Sequence, residues 1–351
     1  MTQLYFTIDT EYESAFTAAN GPDSRRENFE RSILGRTANG DVGVIYQLDT
    51  FDRHGLKAVF FVDPMPALLW GVEAIADVVG PIVSRGHDVQ LHLHTEWLAL
   101  AGPANPLGSR TGQHLKDFTF EEQCQLIDRA RDILVAAGAP RPVAFRAGNY
   151  GANDDTLRAL AELGFTHESS HCPGIADSAC AISLGPDDRR PMPHCGVIEV
   201  PIGCVEDIST ELRHAQLTAL SLAELTAALE HARDHDIDDF TLVSHSFELL
   251  CRGRTRINRI VRRRFDLLCE AVAAMEGVAT ATYSDAPPVP RRRPYPRPAL
   301  PKNPVRAGAR MVEQAVANTL YSARRIFPGW KTGAFVLAPV GAEAAGLISM
   351  L

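Results

Sequence analysis

The feature that most constrains this chain is an alternation. Short apolar runs are separated by longer stretches whose apolar residues recur at helical spacing. The runs at 4–8, 57–64, 89–94, 143–146, 165–170, 197–202, 240–245 and 278–283 read as strands. Helices are expected at 42–54, 74–84, 119–137, 153–163, 222–233 and 257–275. Thr119 and Glu122 have the spacing of a capping box, Asn153 can cap the next helix, and Gly86 and Gly164 supply helix stops. Residues 12–41, 98–118 and 172–195 read as irregular connections. Strands alternating with helices imply βα units around a parallel sheet. Seven or eight such units before residue 286 favour an α/β fold closed into a barrel over an open sheet.

In a barrel of this kind, chemistry collects at the C-terminal ends of the strands. Those ends here carry Asp9 and Glu11, His92 and His94, Arg146, Glu168 and His245. In the stretch 86–97, Val89, Leu91 and Leu93 alternate with Gln90, His92 and His94, so the two histidines share one face of a strand. Two imidazoles about 7 Å apart along a strand can close on one metal ion. Asp9 and Glu11 are likewise two residues apart. Two histidines and a carboxylate would leave metal positions open for water and a substrate carbonyl. Zinc suits such ligands best, and iron, cobalt or nickel would also fit. His171 and His194 fall in or near the loops at these strand ends. His54, His114, His214, His231 and His235 read as surface residues, and Trp97 as a pocket wall or a core residue.

Charge divides the chain in two. Residues 286–351 hold ten Lys/Arg against two Asp/Glu, a net +8, on a chain whose total is −8. Residues 1–285 therefore carry −16 and form the expected catalytic barrel domain, whose acidity argues against a nucleic-acid partner. Residues 286–351 read as a basic extension, with a Pro/Arg-rich linker at 286–304, a helix at 306–326 and a weakly apolar end. No uncharged apolar run reaches the roughly 18 residues of a membrane span. A strand begins almost at the first residue, so a cytoplasmic protein without a signal peptide is expected. The seven cysteines are scattered without C-x-x-C spacing, which suggests free thiols rather than a zinc knuckle.

The residues at the strand ends resemble the motifs of the polysaccharide deacetylase superfamily, the NodB-homology or carbohydrate esterase family 4-like fold. Thr7-Ile8-Asp9-Thr10-Glu11 is similar to its first motif and 86–94 to its second. Phe145-Arg146-Ala147-Gly148-Asn149-Tyr150-Gly151 is similar to its third, and Leu242-Val243-Ser244-His245 to its last. The resemblance implies a distorted (β/α) barrel and metal-dependent removal of an N-acyl group, usually acetyl, from an amino sugar or glycan intermediate. It implies Asp9 as general base, His245 as general acid, Arg146 as the partner that holds Asp9, and a backbone N–H near Tyr150 as an oxyanion donor. It implies His92 as a metal ligand.

Two positions depart from the common pattern. Thr10 stands where many members carry a metal-binding Asp, so Glu11 would take that role. Glu96 stands where many carry the second histidine, which makes His94 the expected third ligand with Glu96 as the alternative. Other readings are hydrolysis of a different non-peptide C–N bond, as in a cyclic ureide, and a non-catalytic carbohydrate-binding relative. Retention of both Asp9 and His245 disfavours the last. A cytoplasmic enzyme would meet a soluble or lipid-linked sugar. Arginines with Phe327, Trp330 and Phe335 in the tail suggest peripheral contact with an anionic membrane.

Overall fold

A computed structural model of the protein describes residues 1–291 and 298–321. Its main sheet contains β1 (Thr2–Thr10), β2 (Val59–Val62), β3 (Asp88–Leu93), β4 (Ala144–Ala147), β5 (His167–Glu168), β6 (Met192–His194), β7 (Val197–Glu199), β8 (Asp239–His245) and β9 (Val278–Thr280). The strand order is β8-β1-β2-β3-β4-β5-β7-β6. One edge of β1 is shared, with Thr2–Leu4 paired to β9 and Thr7–Thr10 paired to β2. All pairings are parallel except β6 with β7. The helices that cover the sheet are α1 (Val44–Arg53), α2 (Glu73–Ser84), α3 (Phe120–Ala136), α4 (Asp154–Glu162), α5 (Leu222–Asp234) and α6 (Arg259–Ala274). The result is the expected distorted (β/α) barrel.

Side-chain parity divides the strands between two cores. Leu4, Phe6, Ile8, Phe60, Val62, Leu91, Leu93 and Phe145 belong to the large core between sheet and helices. Tyr5, Val59, Phe61, Ala144 and Tyr283 form a smaller cluster on the opposite face, inside the curl of the sheet. Because successive strand residues face opposite ways, Thr7 and Asp9 fall on the same inner side as Tyr5, and Arg146 on that of Ala144. The strand ladder does not close the curl. The segment after β7 bridges it instead: Val200 and Ile202 donate backbone N–H to the carbonyls of Glu168 and His171, while Gly203 and Leu217 donate to those of Thr241 and Val243. A Cβ on Gly203 would lie 2.7 Å from the Thr241 oxygen, so this close approach requires glycine.

Three expectations need revision. Residues 12–41 are not a simple loop: they form a helix at Ser14–Asn20, a further helical turn through Phe29–Ile33, and a hairpin of Arg36–Thr37 with Gly40–Asp41. Buried Asn28 organises this stretch, bonding both the N–H and the carbonyl of Glu13 as well as Thr17 and Ser32. A single polar residue leaves no periodic trace. Second, the strand expected at 165–170 keeps only His167–Glu168, because the Glu168 carboxylate turns onto the N–H and hydroxyl of Ser170. Third, the described part of the region expected to be a linker packs on the barrel. Tyr5 donates its hydroxyl to the Ala286 carbonyl at 2.6 Å, His167 Nε2 lies 3.0 Å from the Pro288 carbonyl, and Glu206 N–H bonds the Leu300 carbonyl.

The extension's helix α7 (Pro304–Tyr321) lies against the acidic barrel. Arg310 is buried and pairs with Asp207 at 2.7 Å and Glu224 at 3.1 Å, and Glu313 pairs with Arg264 at 2.6 Å. Phe327, Trp330 and Phe335 lie outside the described residues. Breaking a buried ion pair from one side leaves a charge without its counterion. Arg310→Ala should therefore destabilise the protein by about 3 kcal/mol, read as a lower urea midpoint. Equal midpoints for variant and wild type would show that the helix is not held through this residue.

Candidate active site

The sheet register brings the chemistry-bearing residues to one end. Asp9 on β1 lies opposite His245 on β8, and His92 on β3 opposite Arg146 on β4. Arg146 is fully buried and places every part of its guanidinium. Nη1 donates to Asp9 Oδ1 at 2.6 Å and to Thr7 Oγ1 at 2.9 Å. Nε donates to the Ser169 carbonyl, Nη2 reaches the Ser169 hydroxyl, and the group stacks 4.3 Å from the centre of the Phe61 ring.

Glu11, His92 and His94 converge, with ligand-capable atoms all within 4.8 Å of one another. Glu11 Oε2 lies 3.4 Å from His92 Nε2 and 2.5 Å from His94 Nε2. Each imidazole is held from behind. His92 Nδ1 lies 2.7 Å from the Arg146 carbonyl, which can only accept, so that nitrogen carries a proton and Nε2 is the ring atom turned towards Glu11. His94 Nδ1 lies 3.1 Å from Glu96, whose other oxygen accepts from Asn149 Nδ2 at 2.9 Å. Glu96 thus backs His94 rather than joining the cluster.

The donor set fits a divalent cation. Buried Glu11 Oε2 faces both ring nitrogens without a well-formed hydrogen bond, and Asp63 adds a second buried carboxylate oxygen with no hydrogen-bond partner. Asp63 Oδ1 accepts from Met65 N–H at 3.0 Å and His94 N–H at 3.4 Å. Burial pushes the Asp63 carboxyl up to about 6, with His94 and His92 opposing the rise. Burial also opposes the charged form of His94, but Glu11 and Glu96 outweigh it and lift that imidazole well above its ordinary value.

His245 stands across the site. Its ring lies against Phe247, and Nδ1 is 3.7 Å from Glu248 Oε2. Burial disfavours the imidazolium, yet Glu248, helped by Asp9 and Glu11, raises its pKa to about 9. Glu248 is fixed by Gln216 Nε2 at 2.6 Å, by Thr218 and by the His245 N–H. His214 bonds Gln216 at 2.9 Å, so it belongs to this network rather than to a free surface. Tyr150 follows Asn149 in a turn where both residues adopt left-handed φ, 57° and 55°. That conformation is uncommon for non-glycine residues and recurs where backbone is aimed at a ligand.

Other candidates lie elsewhere. Glu168 sits beside Glu199 on β7, both fully buried. Burial and the Glu168 charge raise Glu199 well above the carboxylate range. His171 is buried against the Gly185 carbonyl, and His194 pairs with Asp154. Trp97 is 1% exposed and packs edge-on to Trp70, a core residue. The sequence reading missed Asp63, Glu248 and Asn149. Asp63 directly follows β2, and Glu248 lies three residues past His245, so both positions were findable signals.

Residues 44–167 match the family model described as polysaccharide deacetylase. That span includes the His-x-His strand and Arg146, and leaves Asp9, Glu11 and His245 outside it. No curated protein matches the chain. Among solved structures, the chain is similar to a provisionally assigned polysaccharide deacetylase from Mycobacterium smegmatis. That comparison has 19% identity and a TM-score of 0.53, and covers 84% of this chain and 94% of the other. It is also similar to a family 4 carbohydrate esterase from Streptomyces lividans in complex with acetate. There the identity is 12% and the TM-score 0.39, with 80% and 92% covered. At such identities the structural likeness speaks to fold alone. The family match thus covers the strands that carry His92, His94 and Arg146, and over residues 44–167 the chain is similar to polysaccharide deacetylases, with a fold like that of the M. smegmatis protein.

Proposed function

We propose that the protein is a metal-dependent hydrolase that removes an N-acyl group, acetyl foremost, from an amino sugar or glycan intermediate. The observation that carries this reading is the convergence of Glu11, His92 and His94 at the strand ends that also hold Asp9 and His245. Glu11, His92 and His94 would hold the ion, with zinc favoured by the ligand types. When bound, the ion supplies Lewis-acid polarisation of the amide carbonyl and a more acidic water. Asp9, oriented by Arg146, takes the proton from the attacking water. The Tyr150 turn contributes a backbone N–H to the oxyanion. His245, protonated at neutral pH through Glu248, gives a proton to the leaving amine.

Purified protein should carry about one divalent ion per barrel site, and His92→Ala should lose it in elemental analysis. Glu96→Gln should keep the site but weaken its affinity roughly 10- to 100-fold. Well-folded protein that neither contains nor takes up metal there would overturn the ligand assignment.

Asp9→Asn and His245→Ala should each lower kcat by about 10²-fold or more while leaving the barrel metal bound. The acidic form of His245 is the active one, so kcat/KM should fall as pH rises through about 9. Glu248 is the largest influence raising that pKa, and Glu248→Gln should move the alkaline limb to lower pH. An unmoved limb would remove His245 from the acid role.

The substrate is proposed to be soluble or lipid-linked on the cytoplasmic side, with the extension as a peripheral membrane contact. Val305, Val312, Val316 and Leu320 on α7 are exposed and recur at intervals that share one helix face. No helix among the described residues is long and apolar enough to cross a membrane. A Val312→Asp, Val316→Asp variant should lose co-sedimentation with anionic vesicles and keep turnover of a soluble amino sugar. Wild-type protein that stays unbound at low salt, where attraction to lipid is strongest, would exclude the membrane contact.

A further inference from the structure

A second group of metal-ligand types lies outside the site described above. Asp154, His194 and Cys195 place a carboxylate oxygen, a ring nitrogen and a thiol within 4.8 Å of one another. They come from two separate elements. Asp154 opens α4, directly after the capping residue Asn153. His194 and Cys195 stand at the tip of the β6–β7 hairpin, where His194 pairs across the strands with Val197. His194 Nε2 already faces Asp154 Oδ1 at 3.1 Å. The Asp154 carboxylate also accepts from Ser183, through its N–H at 2.9 Å and its hydroxyl at 2.6 Å.

The hairpin turn sets where the thiol stands. Cys195 has φ +45° and Gly196 φ +94°, the two left-handed positions of a two-residue hairpin loop. Such turns favour Asn, Asp or Gly at the first position, where an ordinary side chain is strained. A cysteine is a poor choice for the turn itself. It is a good choice if the turn must present sulfur, because the left-handed backbone carries the thiol beside Asp154 and His194.

We propose that Asp154, His194 and Cys195 form a second metal site, selective for zinc or another thiolate-accepting divalent ion. One thiolate, one imidazole and one carboxylate are a mixed donor set that hard ions such as magnesium and calcium do not favour. Binding releases the thiol proton to solvent and exchanges the His194–Asp154 hydrogen bond for two metal bonds. Three protein ligands leave a fourth position for water. The bound ion would fasten the β6–β7 hairpin to the start of α4. The backbone preceding α4 runs through Ala152, whose carbonyl accepts from Ala181, back to the Asn149–Tyr150 turn. The site therefore braces the loop that flanks the catalytic groups and takes no part in the reaction itself.

The test uses the full chain loaded with cobalt(II). The barrel site has only nitrogen and oxygen donors, so a sulfur-to-cobalt charge-transfer band in the near ultraviolet reports the second site alone. Wild type should show this band and bind two cobalt ions. Cys195→Ser should abolish the band and bind one, His194→Ala should do the same, and His92→Ala should keep the band while losing the other ion. Absence of the band in cobalt-saturated wild type, or its persistence in Cys195→Ser, overturns the proposal. Failure of His92→Ala to lose an ion would count against the barrel site and not against this one.

Discussion

A guanidinium inside a barrel with no access to water is the constraint on which the site depends. Arg146 is stable there only because its donors are matched and its charge is paired with Asp9. Its contacts tie β1 through Thr7 and Asp9, β2 through Phe61, and the segment after β5 through Ser169. The same residue's backbone carbonyl receives His92 Nδ1. One residue thus positions the candidate base with its side chain and a candidate metal ligand with its main chain. Loss of either partner of the ion pair would leave a charge where solvent cannot reach it, and both halves of the site would move together.

The parts of this arrangement that were legible in the sequence are those with a period or a fixed offset. Strand alternation placed His92 and His94 on one face, and the order of apolar runs gave the parallel barrel. Caps written as Thr119 with Glu122 and as Asn153 appear where expected. The rest depends on single side chains acting across long separations. Asn28 folds the stretch after β1 by bonding Glu13, fifteen residues away in sequence. Glu248 sets the charge of His245 only because Gln216 and Thr218 hold it from another segment. The identity of the third histidine or carboxylate at His94 and Glu96 was open in the sequence. In the fold they face different partners: His94 meets Glu11 and Glu96 meets Asn149.

The extension shows how net charge can mislead and inform at once. A basic segment on an acidic body suggested attraction to something acidic, and the described helix finds it on its own barrel. Arg310 reaches Asp207 and Glu224 at positions nearly free of solvent. That consumes one cation of the basic excess and turns part of the helix inward. The outward face then carries Val305, Val312, Val316 and Leu320. A surface stripe of valine and leucine is what remains once Arg310 and Glu313 are recruited by the body the helix packs on.

The buried carboxylates explain why the chemistry sits at one end of the barrel. Glu168 and Glu199 are adjacent and unsolvated, and burial with the neighbouring Glu168 charge raises Glu199 well above the carboxylate range. Glu248 is equally buried but faces His245, so its pKa is held below the carboxylate norm and the imidazole becomes the proton carrier. Glu11 faces two imidazoles, which overcome the cost of burial and keep it ionised. Asp63 sits between these cases, raised to about 6 by burial and restrained by the two histidines. The same functional group thus has its pKa raised or lowered according to what stands opposite it. One carboxylate, Glu11, converges on two imidazoles, and buried oxygens of Glu11 and nearby Asp63 are left without hydrogen bonds, an environment that a divalent cation would balance and a neutral ligand would not.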